Sequence, residues 1–475
     1  MYEKQPTDPL KVLPPELVEY IFHLWLLDSI YPHTKSSHSQ LPVSLCLVSK
    51  SWRDFIYASP LLWAHIIIEV SQGAAPTLHA LRAWLERSQS APLFLDILIG
   101  EKPDRDALRV LLAESSRFYH LTLGIFDLSW CNDIPTQDFT QLRKLTVHTE
   151  FQIPTRIGEL SAVFSSAPRL CHVNWCSSGD PELVKVIGHQ LHFLEFTVTH
   201  LPVTRLLEVL AACPNLCSVV VTLQGEHEYT PLPPRERILL PELRSLSLYE
   251  NRDLTGVLWS VQAPLLSRLE VHWRHPNGHE CGLDALQSLL AYCPNLEEIT
   301  LGKFILTEDG LISIIINNQN LLVLTVTAEW WQTSFITHRT FELLTRQAHG
   351  IYALPHLERL ELGGALHVAD EVILRMIESR MSPPDDVEDS SRSRARSLKS
   401  ICLDGCKPMA EESISRLKSI CAKSSLKAEV KFATCTQISV SKSTIPTQAR
   451  TPYFSFFFSL RAVVLWFRKL LSGQR

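Results

Sequence analysis

Leucine and other large apolar residues recur along most of the chain in the arrangement Leu-x-x-Leu-x-Leu. Ten segments follow this arrangement with conservative replacements. Their first leucines are Leu142, Leu170, Leu191, Leu216, Leu243, Leu266, Leu296, Leu321, Leu357 and Leu398. A weaker copy, FYHLTL, occupies 118–123. Because alternate side chains of a strand point to opposite faces, each copy predicts a short strand with one apolar face.

The segments between these copies predict helices that carry the chain back to the start of the next strand. Four of them have apolar residues at helical spacing, namely 180–191, 203–216, 283–296 and 307–321. In the first, Asp180 can cap the helix and Pro181 fits its first turn. Two of the helices run into a Cys-Pro-Asn-Leu stretch, in which Pro214 and Pro294 end the helix because proline lacks the backbone N–H.

The spacing of the copies resembles that of leucine-rich repeats. Most first leucines lie 21 to 30 residues apart, and the last two intervals, of 36 and 41 residues, leave room for inserted loops. A single repeat cannot bury its own apolar face, whereas stacked repeats can. The resemblance implies an α/β solenoid, a horseshoe over roughly 115–430, with the strands lining its concave side.

Two further apolar clusters precede the repeats, separated by the polar segment 28–42. The first has helical spacing and consists of Leu17, Val18, Ile21, Phe22 and Trp25. The second, also helical, consists of Leu45, Val48, Trp52, Phe55 and Ile56. About 50 residues cannot easily bury this much apolar surface by themselves. The excess is expected to meet another protein or to pack on the repeats.

The two clusters together resemble an F-box. LPPELVEYIF (13–22) and LCLVSKSWRDFIYASPLLW (45–63) follow its pattern of Leu-Pro-x-Glu, an Ile-Phe pair and a Val-Ser-Lys-x-Trp run. The resemblance implies a small all-α domain over 11–65, followed by a linking helical and strand segment over 66–114. It also implies docking on the Skp-type adaptor of a cullin-RING ubiquitin ligase. The positions carried over by the resemblance are Leu13, Pro14, Leu17, Ile21, Phe22, Val48, Ser49 and Trp52. The long polar insertion departs from the family pattern and weakens this correspondence around 28–43.

Among these positions, three large apolar residues are the predicted anchors of the interface. A specific protein interface is held by a few apolar anchors, and Leu13, Phe22 and Trp52 could supply them. Trp52 could instead belong partly to the core of the helical domain. The alternative for the whole set is that these residues pack on the first repeats.

The outward positions of the repeat strands predict where a protein substrate binds. Five residues at such positions are the candidates, namely Phe193, Tyr249, Arg268, His272 and Arg359. Trp330 and Trp331 follow a predicted strand and could add to this surface. Trp175 and Phe196 fall at inward positions and are expected in the core.

Composition and motifs exclude several other functions. The net charge is −5 and no segment is basic enough for a phosphate backbone, so we expect no nucleic-acid partner. Seventeen glycines and the lack of any nucleotide-binding or hydrolase motif predict a protein that is not an enzyme and needs no cofactor. His272, His275, His279 and Cys281 match no familiar zinc spacing, so no metal is expected. Twelve cysteines without a Cys-x-x-Cys pair indicate reduced thiols and a cytoplasmic or nuclear location.

The end of the chain differs from the repeats. Residues 382–397 are Ser-rich and charged, which predicts a disordered loop. Residues 431–475 predict a linker and an apolar, basic tail. The apolar part, 453–467, is too short to span a membrane as a helix and contains Arg461, so spanning is not expected. It could lie on a membrane surface or cover the last repeat.

The sequence therefore predicts a non-catalytic substrate-recognition subunit of a Skp-cullin-F-box ubiquitin ligase. Its F-box-like helices would bind the adaptor and its repeats would bind an unknown protein substrate. The alternative is a leucine-rich-repeat scaffold that binds partners without assembling into a ligase.

Overall fold

The computed structural model describes two compact parts of the chain, one ending at Cys171 and one beginning at His172, here called unit 1 and unit 2. The described residues are 8–29, 41–70, 78–100, 102–125, 138–149, 160, 163–176, 184, 187–199, 201–224, 237–250, 254–273, 281–304, 306–327, 336–346, 353–366, 368–381, 396–406, 409–424, 426–432 and 437–440.

Unit 1 opens with helices where the sequence predicts them. These are α1 (Pro9–Val12), α2 (Pro15–Ser29), α3 (Leu41–Cys46), α4 (Lys50–Ala58) and α5 (Pro60–Trp63). Asp8 caps α1 by accepting from the backbone N–H of Leu10, and Ser49 caps α4 by accepting from that of Trp52. Pro60 occupies the first turn of α5, where its missing N–H leaves no helical bond unmade.

Parallel strands follow these helices within unit 1. The elements are β1 (His65–Val70), α6 (Leu78–Arg87), β2 (Leu93–Ile99), α7 (Arg105–Leu112), β3 (Phe118–Ile125) and β4 (Lys144–Thr149). The strands pair in chain order, β1 with β2, β2 with β3 and β3 with β4. The sequence predicted β3 and β4 as repeat strands and 66–114 as a linking segment of helix and strand, and this segment contains most of β1 and all of α6, β2 and α7. The sheet of unit 1 thus begins at His65, immediately after the helices.

Unit 2 repeats a strand and a return segment many times. Its first elements are β5 (His172–Cys176), β6 (Phe193–Thr199), α8 (Val203–Ala211), β7 (Ser218–Gln224), β8 (Ile238–Leu239), β9 (Ser245–Glu250), α9 (Thr255–Ser260), β10 (Val261–Gln262), β11 (Arg268–Trp273) and α10 (Cys281–Leu290). Its remaining elements are β12 (Glu298–Gly302), α11 (Glu308–Asn317), β13 (Val323–Thr327), α12 (His338–Leu344), β14 (Arg359–Leu366), α13 (Asp370–Ser379), β15 (Ser400–Cys406), α14 (Glu411–Lys423), β16 (Lys427–Phe432) and β17 (Gln437–Val440).

The main sheet of unit 2 follows chain order, β5-β6-β7-β9-β11-β12-β13-β14-β15-β16-β17. Its pairs are parallel, except that β17 runs antiparallel to β16. β8 and β10 form a separate short parallel pair. Sequential parallel strands joined by return helices are the arrangement of an α/β solenoid, and this coarse prediction of the fold is confirmed.

The leucine pattern explains this arrangement strand by strand. Each of the ten predicted copies is a strand that starts two residues after its first leucine. The first leucines are all buried, as are the apolar residues that alternate within the strands, including Trp175 and Phe196. The predicted return helices over 203–216, 283–296 and 307–321 are α8, α10 and α11. Of the remaining segment, 180–191, only residue 184 and residues 187–191 are described, and Asp180 and Pro181 lie outside them.

The Cys-Pro-Asn-Leu stretches tie each repeat to the one before it. The side-chain amide of Asn215 donates to the carbonyl of His189 at 2.6 Å, and that of Asn295 donates to the carbonyl of Pro264 at 3.0 Å. Cys213 and Cys293 are buried, and burial raises the pKa of each thiol to about 12. These cysteines therefore act as small apolar core residues.

Several predictions concern residues outside the described ranges. These are the loop over 382–395, Trp330, Trp331, His275, His279 and the apolar tail over 453–467. Among the helices that the structure describes, none is both long and apolar enough to cross a membrane.

Candidate protein-binding surfaces

The N-terminal helices of unit 1 expose a group of large apolar side chains. Of the twelve such side chains exposed among the described residues, seven lie between residues 12 and 57. They are Val12, Leu17, Tyr20, Val43, Leu47, Val48 and Tyr57, here called the helix surface. Leu47 is the most open, at 79% exposure. Exposed large apolar side chains concentrated in one part of a protein are typical of an interaction site, so the helix surface is a candidate docking site.

The residues predicted to contact an adaptor divide between this surface and the core. Pro14, Leu17 and Val48 are exposed, the latter two at 49% and 45%. Leu13, Ile21 and Ser49 are half-buried, and Ser49 is also the cap of α4.

The prediction that Phe22 and Trp52 anchor a protein interface is wrong, because both side chains are buried in the core of unit 1. Phe22 is 2% and Trp52 3% exposed, and their ring centroids lie 5.2 Å apart. The indole N–H of Trp52 donates to Asp8 Oδ1 at 3.1 Å. Helices of this length need one apolar face to hold them together, and these two aromatics occupy that face. They shape the helix surface from beneath rather than meeting a partner.

Part of the helical region packs against β1 and α6. The Nδ1 atom of His23 on α2 lies 2.7 Å from the Nε2 atom of His65 on β1. The guanidinium of Arg87 lies over the rings of Tyr57 and Trp63, 4.7 and 4.6 Å from their centroids. This packing leaves the other side of α2 and α3 open, so the helices have one face in the core and one in solvent.

The strands of unit 2 form a second surface, here called the strand face. Because their register is in step, the outward positions line up in three rows across the sheet. Row 1 contains His172, Phe193, Ser218, Ser245, Arg268, Glu298, Val323, Arg359, Ser400 and Lys427. Row 2 contains Asn174, Glu195, Val220, Ser247, Glu270, Thr300, Thr325, Glu361, Cys402 and Glu429. Row 3 contains Cys176, Thr197, Thr222, Tyr249, His272, Gly302, Thr327, Gly363 and Asp404.

Tyr249 and His272 form the centre of the strand face. Their rings stack with centroids 5.0 Å apart and 15° between planes. A Cβ on Gly302, the neighbour of His272 in register, would lie 2.1 Å from His272 Nδ1, so the ring occupies space that only glycine leaves open. The two rings therefore make a platform across three strands.

Glu270 accepts hydrogen bonds from the groups beside this platform. His272 Nε2 lies 2.9 Å from Glu270 Oε1, and Ser247 Oγ donates to Glu270 Oε2 at 3.5 Å. The hydrogen bond from His272 is the main cause that holds the pKa of Glu270 below its usual value. Burial, and next the bond to Glu270, raise the pKa of Tyr249. The carboxylate is thus ionised and the phenol protonated at neutral pH.

Glu298 links the two predicted arginines of row 1. Arg268 Nε donates to Glu298 Oε2 at 2.8 Å, and Arg359 Nη2 lies 3.6 Å from Glu298 Oε1. The fifth candidate, Phe193, stacks on His172 with ring centroids 5.6 Å apart. The structure therefore joins Tyr249 with His272 and Arg268 with Arg359, and places Phe193 in a separate pair.

Sequence reasoning did not rank the three glutamates Glu195, Glu270 and Glu298 among the candidates. All three fall at predicted outward positions, but their partners lie 21 to 61 residues away or on the same strand. Only the register of neighbouring strands reveals these pairs. A recurring Arg-x-Glu within a strand, as in 268–270 and 359–361, was the available signal.

Comparison with known proteins adds little to this description. No protein-family model matches the chain, and no curated protein matches it. Among solved structures, the chain is similar to the crystal structure of a TLR13–ssRNA13 complex, at 12% sequence identity and a TM-score of 0.26. The match covers 79% of this chain and 63% of the length of that one. A likeness at this score indicates neither the fold nor the function of this chain.

The remaining site chemistry is limited within the described ranges. There, no group of three or more His, Cys, Asp or Glu side chains is arranged to hold a metal ion. The cysteines whose side chains are described are free thiols.

Proposed function

We propose that this chain is the substrate-recognition subunit of a Skp-cullin-F-box type ubiquitin ligase, working in the cytoplasm or nucleus. The observation that carries the proposal is the helix surface. It exposes Leu17 and Val48, two of the positions at which the sequence resembles an F-box. Exposed leucine, valine and tyrosine side chains on neighbouring helices suit docking on an adaptor through apolar contacts.

In this role the protein performs no chemistry of its own. The helix surface binds the adaptor, and the strand face binds a substrate. Holding both on one chain raises the effective concentration of the substrate's lysines near the ubiquitin-carrying enzyme. A transfer reaction is then accelerated by proximity, without a catalytic side chain on this protein.

The proposal is tested by adaptor binding of the full-length protein. We expect the wild-type chain to co-purify with a Skp-type adaptor, and Leu17→Ser combined with Val48→Ser to weaken binding by at least about tenfold, because anchors at the centre of an interface dominate its affinity. The matched control is Leu239→Ser combined with Leu265→Ser. These leucines are similarly exposed, at 56% and 40%, but lie in unit 2. Affinity is measured by titration calorimetry.

Two results would contradict the proposal. One is a folded wild-type chain that does not bind the adaptor at micromolar concentrations. The other is equal weakening by the unit 2 control, which would indicate non-specific apolar association. A chain that binds partners without changing their lifetime in cells would instead be the leucine-rich-repeat scaffold.

A further inference from the structure

We infer that the strand face of unit 2 binds an extended peptide segment whose basic side chains are spaced by about four residues, with one of them seated against Tyr249 and His272. This inference rests on the proposed function, because it names the class of segment through which a substrate would be recognised.

The first support is the separation of charge between rows. Row 2 carries Glu195, Glu270, Glu361 and Glu429 and has neither lysine nor arginine among its positions. Row 1, two residues earlier on each strand, carries Arg268, Arg359, Lys427 and Glu298. A ligand that crosses the strands along row 2 therefore meets carboxylates of one sign, which favours a basic segment.

The second support is the kind of partner that two arginines of row 1 and two glutamates of row 2 have. The cations Arg268 and Arg359 share Glu298, so an acidic ligand would have to compete with a carboxylate already in place. Among described residues, Glu270 accepts from Ser247, Tyr249 and His272, and Glu195 accepts from Asn174. These donors are neutral, except that His272 is charged when protonated. An incoming cation therefore adds to these hydrogen bonds rather than replacing an ion pair.

The third support is the aromatic platform next to these carboxylates. Tyr249 hydrogen-bonds Glu270 and lies within electrostatic range of Glu195. A lysine or arginine side chain placed over an aromatic face beside a carboxylate gains both cation–π and Coulomb attraction. The stacked rings of Tyr249 and His272 provide this combination. They occupy row 3, two residues after the row 2 position on each of their strands.

The spacing of the ligand follows from the register. Glu195, Glu270 and Glu361 are separated by three strand steps each, from β6 through β7 and β9 to β11, and from β11 through β12 and β13 to β14. Neighbouring strands lie about 4.8 Å apart, so three steps span about 14 Å. An extended chain advances about 3.3 Å per residue, and about four residues cover this distance. Thr300 and Thr325 are the small side chains between Glu270 and Glu361.

The test uses the full-length protein and synthetic fluorescent peptides in an anisotropy titration. The probe carries lysines spaced by about four residues in a Gly/Ser/Thr background. One comparator has the same composition with the lysines adjacent, and another has glutamate in place of lysine. We expect the spaced basic probe to bind at least about tenfold more tightly than either comparator.

Variants locate the binding on row 2. Glu270→Gln combined with Glu361→Gln is expected to weaken binding of the spaced basic probe by about tenfold or more. Glu242→Gln combined with Glu297→Gln makes the same change in net charge at exposed positions outside the rows and should leave affinity within about twofold. Thr325→Lys, which adds a cation to row 2 without removing a carboxylate, should weaken binding too. Thermal melts confirm that each variant is folded.

Each outcome decides between the possibilities. Tighter binding of the acidic comparator, equal binding of the two basic peptides, or no effect of either Thr325→Lys or the row 2 pair overturns the inference. Adaptor binding is measured on the same preparations. A protein that binds the adaptor but not the basic probe overturns this inference alone, whereas one that binds the probe but not the adaptor overturns the proposed function alone.

Discussion

At the scale of single residues, three histidines of unit 1 make the stability of this part sensitive to acid. His65 is 8% exposed, and burial, followed by His23 and His120, lowers its pKa to about 3. Burial, followed by Lys144, lowers the pKa of His120 to about 4. The unfolded chain binds protons at these sites near pH 6.5, whereas the folded chain does not, so stability is lost as pH falls below that value.

We expect unit 1 to lose about 2 kcal/mol of unfolding free energy for each of His65 and His120 between pH 7 and pH 5. His65→Phe keeps a ring against Phe94, on which His65 stacks with centroids 4.5 Å apart, but removes one titrating group. Its unfolding free energy, measured by urea titration at several pH values, should therefore depend less steeply on pH than that of the wild type. His192→Phe, at an exposed position, is the control. A wild-type slope retained in His65→Phe would contradict this account.

The residue scale also shows what the sequence could not predict about the helices. Apolar spacing identified α2 and α4, but it could not tell which apolar residues face the core. Phe22 and Trp52 face the core because Asp8, Phe55 and the aromatics themselves complete their contacts there. Leu17 and Val48 belong to the same sequence stripes and are exposed. Those tertiary contacts are not encoded in helical periodicity.

At the scale of elements, a buried arginine joins α12 and α13. Arg380 follows α13 and is fully buried. Its guanidinium donates to the carbonyls of Leu344, the last residue of α12, and of Ala353 and Leu354. A guanidinium presents its donors in a fixed fork, which suits several carbonyls at once. The contact caps one helix and anchors the segment that leads into β14.

We expect Arg380→Met to lower the unfolding free energy by about 3 kcal/mol or more, because it leaves buried carbonyls without donors. Arg375→Met is the matched control, since Arg375 lies on the exposed side of the same helix. Thermal unfolding followed by circular dichroism compares the two variants. Equal midpoints would show that these carbonyls find other donors.

The repeat elements were predictable because their pattern is strictly local. Leu-x-x-Leu-x-Leu marks where each strand starts, and Pro214 and Pro294 mark where two helices end. β1 and β2 do not follow the pattern because no leucine stands two residues before the start of HIIIEV or LFLDILI. Their place in the sheet depends on pairing with β3, which is a tertiary property.

At the scale of the whole molecule, stability is expected to be local to each part of the chain. Stacked repeats are held mainly by their neighbours, so a core lesion loosens the adjacent repeats first. Leu269→Ala removes a fully buried side chain of β11 whose register neighbours are Leu246 and Ile299. Such a change destabilises by about 2–5 kcal/mol.

Hydrogen exchange followed by mass spectrometry measures this locality. Leu269→Ala should speed exchange in β9, β11 and β12 and leave β1 and β2 protected as in the wild type. Leu121→Ala, in β3 of unit 1, should show the reverse distribution. Uniform acceleration across both units in either variant would mean that the chain unfolds as one cooperative body.

The strand face was predictable in its members but not in its pairs. Strand alternation identified Tyr249, Arg268, His272 and Arg359 as outward residues, and the burial pattern of β11 confirms this for Arg268 and His272. It could not show that Tyr249 stacks on His272 or that Arg268 and Arg359 share Glu298, since these partners come from different repeats. Only the in-step register of the sheet brings them together.

The alternation within β13 shows how such a face could be rewritten. Val323, Thr325 and Thr327 point outward, while Leu324 and Val326 remain in the core. Exchanging these three outward residues alone would alter ligand contacts at one strand of the strand face and leave the stacking of the repeats intact. Residues that hold the fold and residues that can contact a ligand thus alternate within the same short strand. Binding specificity can therefore be engineered by exchanging the outward residues of one strand at a time.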